Sequence, residues 1–209
     1  MTEPKRKAKK NVHNLSERIV DAAIDLAEDV GWDNVRLYDV AEALGVTLVD
    51  VAEHHRDLDA VANAWFGRAR AAMLAPLDAE TALAPGSERV QTLMLRWFDA
   101  LAPHRKVTAQ MLGEKMWPFH PHHWVPMIFE LSRTILWLRD AAALDAVPPR
   151  RQIEEVVLSG LFLATLAVWT RDETIGQERT RRFLRRRLNT ADRIKVRVFG
   201  GHRSQREAD

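Results

Sequence analysis

Apolar residues recur every three or four positions from Ser16 to Asn189, and nothing in that span argues for the two-residue alternation of a half-buried strand. That spacing admits one fold class, all-α, cut into separate helices wherever glycine, proline or a capping side chain interrupts the stripe. Ile19, Val20, Ala23, Ile24, Ala27 and Val30 mark the first stripe, which Ser16 is placed to cap and Gly31 to end. A short helix follows near Leu37–Leu44 and stops at Gly45. Thr47 opens the next, and Asp50 three residues later completes the pattern of a capping box. Asp57 heads a longer helix through about Ala75, burying Leu58, Val61, Trp65, Phe66, Ala69 and Met73. Pro76 and Ala84–Pro85–Gly86–Ser87 are breakers and set the domain transition. Behind them, helices are expected near Ser87–Leu101, His104–Lys115, Trp124–Ala142, Arg150–Thr170 and Glu178–Asn189.

The expected layout is a basic disordered arm over 1–15, a small helical domain over 16–76, a larger one over 87–191 and a basic tail over 192–209. In the tail, Ile194–Val198 alternate with period two and are read as a strand or as a fraying end. The formal net charge of +2 hides strong blocks. Residues 1–15 sum to +4 through Lys5, Arg6, Lys7, Lys9 and Lys10; residues 16–60 sum to −9, and residues 171–206 to +8. Block charge reports on partners and not on fold.

Several classes are excluded. The chain has no Cys, hence no disulfide and no thiolate metal site. The basic N-terminus runs into polar residues and not an apolar core, so no secretory signal is expected. The longest apolar run, Val156–Trp169, is 14 residues against the roughly 20 that span a bilayer, and a cytoplasmic protein is the reading. No phosphate loop, nucleophile elbow or paired-carboxylate signature appears, so no enzyme and no cofactor are implied. His120, His122 and His123 invite a metal, but proline flanks them and no Asp, Glu or Cys lies among them; no metal is assigned.

Two short helices joined at Gly45 and braced by a longer one form a helix-turn-helix, whose last helix enters the major groove of DNA. The stretch from Arg18 to Thr47 resembles the N-terminal domain of the TetR family. The matching features are Ala22–Ala23, Gly31–Trp32, Asp39–Val40–Ala41 and Gly45–Val46–Thr47, over about fifty residues. Where the family usually has a Tyr, a His–Phe pair and a Lys, this chain has Ala52, His54–His55 and Leu58, and Arg36 stands at the usual hydroxyl cap. The resemblance implies DNA contacts at Arg36, Thr47, Leu48, Val49, Glu53 and His54. The arm residues Lys5, Arg6, Lys7, Lys9 and Lys10 are either minor-groove contacts or a solvated tail. Asp50 is read first as the cap, and second as an acid reading cytosine.

Val156–Trp169 is apolar around its whole circumference and is expected to be buried on all sides. Gly160, Ala164 and Ala167 share a face that permits a close helix crossing. The TetR resemblance implies a two-fold dimer through the last two helices, with Leu161, Phe162, Thr165, Val168, Phe183, Leu184 and Leu188 as its seam; the alternative is an intramolecular core. Seven Trp and seven Phe accompany a single Tyr, a composition that suits either an apolar pocket or a plain core. The resemblance favours a pocket, with Trp97, Met111, Trp117, Phe129, Leu131, Trp137 and Phe162 as lining.

Ala100–Lys106, Val168–Glu173 and Phe183–Ile194 also resemble the ubiquinone-biosynthesis lipid-binding proteins that share the TetR fold. That similarity implies a lipid cavity, no DNA binding and a C-terminal element that meets membranes, with Arg182, Arg185 and Arg186 facing the bilayer or simply solvent. The expectation is therefore a TetR-like regulator: an operator-binding homodimer that responds to an apolar ligand. Its alternative is a lipid- or isoprenoid-binding protein of quinone metabolism that does not bind DNA.

Overall fold

The computed structural model describes the backbone of residues 4–115 and 121–199 and the side chains of residues 15–113 and 129–190. Every regular element among them is helical: α1 (Pro4–Val30), α2 (Leu37–Leu44), α3 (Leu48–His54), α4 (Leu58–Met73), α5 (Ala79–Leu83), α6 (Gly86–Leu101), α7 (Arg105–Lys115), α8 (Pro121–Ala141), α9 (Arg150–Trp169) and α10 (Glu178–Phe199). They fall into two compact units. One holds residues 1–70 and 100–127, the other residues 71–99 and 128–209.

In the first unit the α1 stripe is buried as its spacing requires: Ile19, Val20, Ala23, Ile24 and Ala27 are all at most 2% exposed. Gly31 then turns the chain at φ 84, a value that side chains rarely tolerate, and delivers Trp32 into the core. Gly45 ends α2 in the left-handed conformation, and Asp57 Oδ1 accepts the Ala60 N–H at 2.7 Å to start α4. The unit is completed by a helix distant in sequence. Gln110 of α7 accepts the Trp32 N–H at 2.8 Å, Trp65 Nε1 donates to Thr108 Oγ1 at 3.0 Å, and His104 Nδ1 meets Glu28 at 3.0 Å. Placing residues 105–115 with the rear domain is therefore corrected. Proline punctuation marks where helices end, not which partner they pack on.

Two further expectations change. Ser16 does not cap α1, because the helix starts at Pro4, a residue suited to a first turn, and no Gly or Pro interrupts it before Ser16. Residues 4–15 are accordingly helical and not a loose arm. Likewise Ile194–Val198 continue α10 through Phe199, so their alternation produces no strand.

In the second unit Val90, Leu93, Met94, Trp97 and Phe98 form the buried stripe of α6. Arg89 caps the end of α8, donating to the carbonyls of Ala142 (2.7 Å) and Ala143 (3.3 Å) as well as to that of Ala84. The turn from α9 to α10 is organised by Asp172, whose buried carboxylate accepts from the backbone and hydroxyl of both Thr174 and Thr180.

Candidate nucleic-acid interface and effector domain

The geometry of α3 follows from its ends. Thr47 Oγ1 accepts the Asp50 N–H at 3.2 Å, while Asp50 Oδ2 accepts the Thr47 N–H at 2.8 Å and the Thr47 hydroxyl at 2.7 Å. Hydrogen bonds from the Thr47 hydroxyl and N–H hold the Asp50 carboxyl below the ordinary carboxylate range. Asp50 is thus the capping residue, engaged with its own helix. Val51 and His55 anchor the inner side. His55 is 6% exposed, and its Nε2 lies 3.1 Å from Ser16 Oγ and 3.2 Å from the Ser16 carbonyl oxygen. A ring that sits where the resembling family has Phe is thereby satisfied by α1.

The outer side of α3 carries Leu48, Val49, Ala52 and Glu53, all exposed, with His54 half-buried. Arg36 is exposed as well, but its fork is engaged by Asp39 at 3.0 and 3.3 Å. Lys5, Arg6, Lys7, Lys9 and Lys10 fall on the first turns of α1, with their side chains outside the described residues. Tyr38, on α2 and 60% exposed, is a surface ring that the spacing argument passed over; its standing as the only Tyr was the available signal. The acidic block is partly neutralised by a residue outside it. Arg68 of α4 reaches the carboxylates of Glu17 and Asp21 and the Glu17 carbonyl, with its guanidinium 5.8 Å from the Trp65 ring. Burial works against the charge of Arg68, but the two carboxylates outweigh it and raise its pKa.

In the second unit the expected pocket residues separate. Trp97 and Phe162 are buried in a ring cluster with Phe98 and Trp169: centroids lie 5.0 Å apart for Trp97–Phe162, 5.5 Å for Phe98–Phe162 and 5.7 Å for Phe98–Trp169. Phe129 and Trp137, at 61% and 51% exposure, face outward instead, and Leu131 is half-buried. Met111 belongs to the core of the first unit. Trp117 and His120 lie outside the described residues, as do the side chains of His122 and His123. A single lining made of all these residues is corrected: aromatic content signals apolar surface without direction. An open volume of about 370 Å³ among the described residues is a groove in the first unit, between Arg18, Asp21, Asp25 and Asp29 of α1 and Ala43–Leu44 of α2.

The seam expectation changes in the same way. Phe162, Thr165, Leu184 and Leu188 are buried inside the subunit, and Leu161, Val168 and Phe183 are half-buried. The face of α9 left open is a different stripe: Ile153, Val156, Val157, Gly160, Leu163, Ala164 and Ala167, at helical spacing. Val156 is 72% and Val157 51% exposed. Burial of α9 on all sides within one chain is therefore corrected. A Cβ at Gly160 would meet nothing within 4 Å inside the subunit. By length and composition alone α9 is long and apolar enough to cross a bilayer, as the core helix of a soluble protein also can be. In the fold its inner face packs on the subunit, and its Glu154 and Glu155 pair with the buried Arg139 of α8 at 3.2 and 3.5 Å.

Comparison with known proteins decides the family. A TetR transcriptional regulator from Nitrosomonas europaea matches with 38% identity and a TM-score of 0.77, over 86% of this chain and 98% of that one. The chain belongs to the TetR family. The COQ9 family model also matches, over residues 155–195, which comprise most of α9, the Asp172 turn and most of α10. No curated protein matches the chain. The TetR match extends across both units, while the COQ9 match is confined to the second.

Proposed function

We propose that this TetR-family chain is a transcriptional regulator that binds operator DNA as a homodimer. The observation that carries the reading is the 38% identity to a regulator over nearly its whole length. The intact turn, cap and reading helix at Gly45, Thr47 and α3 agree with it. The apolar stripe of α9 supplies the dimer seam, since an exposed face of this kind excludes water when it packs against a second copy of the helix. An apolar effector is the ligand class suited to the cluster of Trp97, Phe98, Phe162 and Trp169, which it would enter by separating the rings. Such a regulator works in the cytoplasm and performs no catalysis.

Phosphate attraction in this reading comes chiefly from Lys5, Arg6, Lys7, Lys9 and Lys10, because residues 16–60 sum to −9. The test is a salt-titrated binding assay on genomic DNA fragments with the intact protein and with residues 1–10 deleted. Deletion is expected to remove most affinity and to lower the log–log salt slope by about 0.9 for each phosphate that the arm no longer neutralises. A second reading, a lipid-binding protein without DNA activity whose α10 arginines meet an anionic membrane, is favoured by the same −9 block, and the residues 155–195 match is compatible with it. Absence of DNA binding at low salt would leave that second reading in place.

A further inference from the structure

The outward face of α3 is unusual for a DNA-reading surface in the chemistry it offers. Its exposed residues are Leu48, Val49, Ala52 and Glu53, at positions that share one side of the helix. Leu48 is 48% and Val49 68% exposed. No Lys, Arg, Asn or Gln occurs anywhere in α3, so the helix itself has no fork for the O6 and N7 acceptors of guanine and no amide for adenine. Asp50, the other polar side chain of its first turn, is occupied by Thr47. Arg36 is the neighbouring cation at the leading end of α2, and Asp39 engages it. What remains fully exposed for base edges is three apolar side chains and one carboxylate, with the His54 ring half-buried at the end of the helix.

Base edges in the major groove match that set in two ways. The C5-methyl of thymine is the one apolar group displayed there, and cytosine N4 is a donor that a carboxylate accepts. We infer that the reading helix recognises its operator through thymine methyl groups at Leu48 and Val49, with Glu53 accepting from a cytosine N4. This inference rests on the regulator reading and names the bases that reading requires. The burial that normally anchors an apolar side chain is here deferred to the complex, which explains why Leu48 and Val49 are left in water while Val51, between them and His55, is fully enclosed.

The experiment selects operators from a random duplex pool with the full-length protein at low salt, then compares each selected site with thymine and with uracil at the contacted positions. Uracil keeps every hydrogen-bonding atom and removes only the methyl. Selected half-sites are expected to carry adjacent thymines, and each uracil is expected to weaken binding about fourfold, the value of one buried methyl-sized group. Val49→Ala is expected to bind more weakly and to lose the thymine–uracil difference at one position, while its circular dichroism stays unchanged because the side chain is exposed. Glu53→Gln is expected to relax the cytosine preference. Equal affinity for thymine and uracil operators, or guanine-dominated half-sites, would overturn this inference and leave the regulator reading intact. Failure to select any DNA would overturn both.

Discussion

Asp172 organises the turn on which α10 is mounted, and its replacement by asparagine is the most quantitative probe of the second unit. The carboxylate is fully buried and accepts four hydrogen bonds: from Thr174 N–H and Oγ1 at 3.0 and 2.5 Å, and from Thr180 N–H and Oγ1 at 2.7 and 2.6 Å. Burial alone would raise its pKa, but the combined bonds from Thr174 and Thr180 prevail and lower it from 3.8 to about 2. A depression of that size corresponds to about 2 kcal/mol of folded-state stability. Because the folded value lies below the unfolded one, this stability is fully present above about pH 4 and is lost as the pH falls through about 2. Asparagine keeps the shape but presents an amide N–H₂ to donors on one side. Asp172→Asn is therefore expected to cost about 2 kcal/mol at about pH 6, a fall of roughly 4–8 °C in Tm for a chain of this size. The assay is thermal and urea unfolding by circular dichroism at one fixed protein concentration, with wild type and variant compared from pH 6 to pH 2. The gap between them should close across the bottom of that range, as the wild-type carboxyl takes up its proton. A gap that stays constant with pH, or one below about 0.5 kcal/mol at pH 6, would refute the argument that the charge is what Thr174 and Thr180 hold.

Val157→Glu places a charge on the open α9 stripe without touching the subunit core; sedimentation at low micromolar concentration is expected to show the 23.9 kDa monomer with unchanged helix content. Trp65→Phe removes the bond from Nε1 to Thr108 Oγ1 and should destabilise the first unit by about 1 kcal/mol, read from the urea midpoint, because Thr108 keeps its bond to the His104 carbonyl. Asp50→Ala should cost about 1 kcal/mol by loss of the capping box, whereas Asp50→Asn should cost a few tenths, since both Asp and Asn can accept the Thr47 N–H; equal losses in thermal unfolding would contradict the cap.

The reach of sequence reading here was set by the range of the interactions involved. The end of α2 at Gly45, the box at Thr47 and Asp50 and the cap at Asp57 depend on residues close together in the chain, and all three were visible as residue types at fixed offsets. The TetR resemblance was legible for the same reason, because its markers cluster in α1, α2 and the turn that follows. The candidate base-reading residues Leu48, Val49 and Glu53 could be named from their positions in α3. Their exposure could not, because period 3.6 separates faces without saying which one is covered.

What the amino-acid order determined by itself is the helical class, most helix ends and the family, since these depend on backbone geometry and short-range hydrogen bonds. The tertiary structure alone decided the rest. It brought Gln110 of α7 to Trp32, 78 residues away, and so assigned α7 to the first unit. It also chose between the two apolar faces of α9, enclosing Leu158, Phe162 and Trp169 and leaving Val156, Val157 and Leu163 open. Both faces are apolar, so helical spacing alone did not say which one the subunit encloses. The choice came from packing, a sum over neighbours that the chain brings together only when it folds.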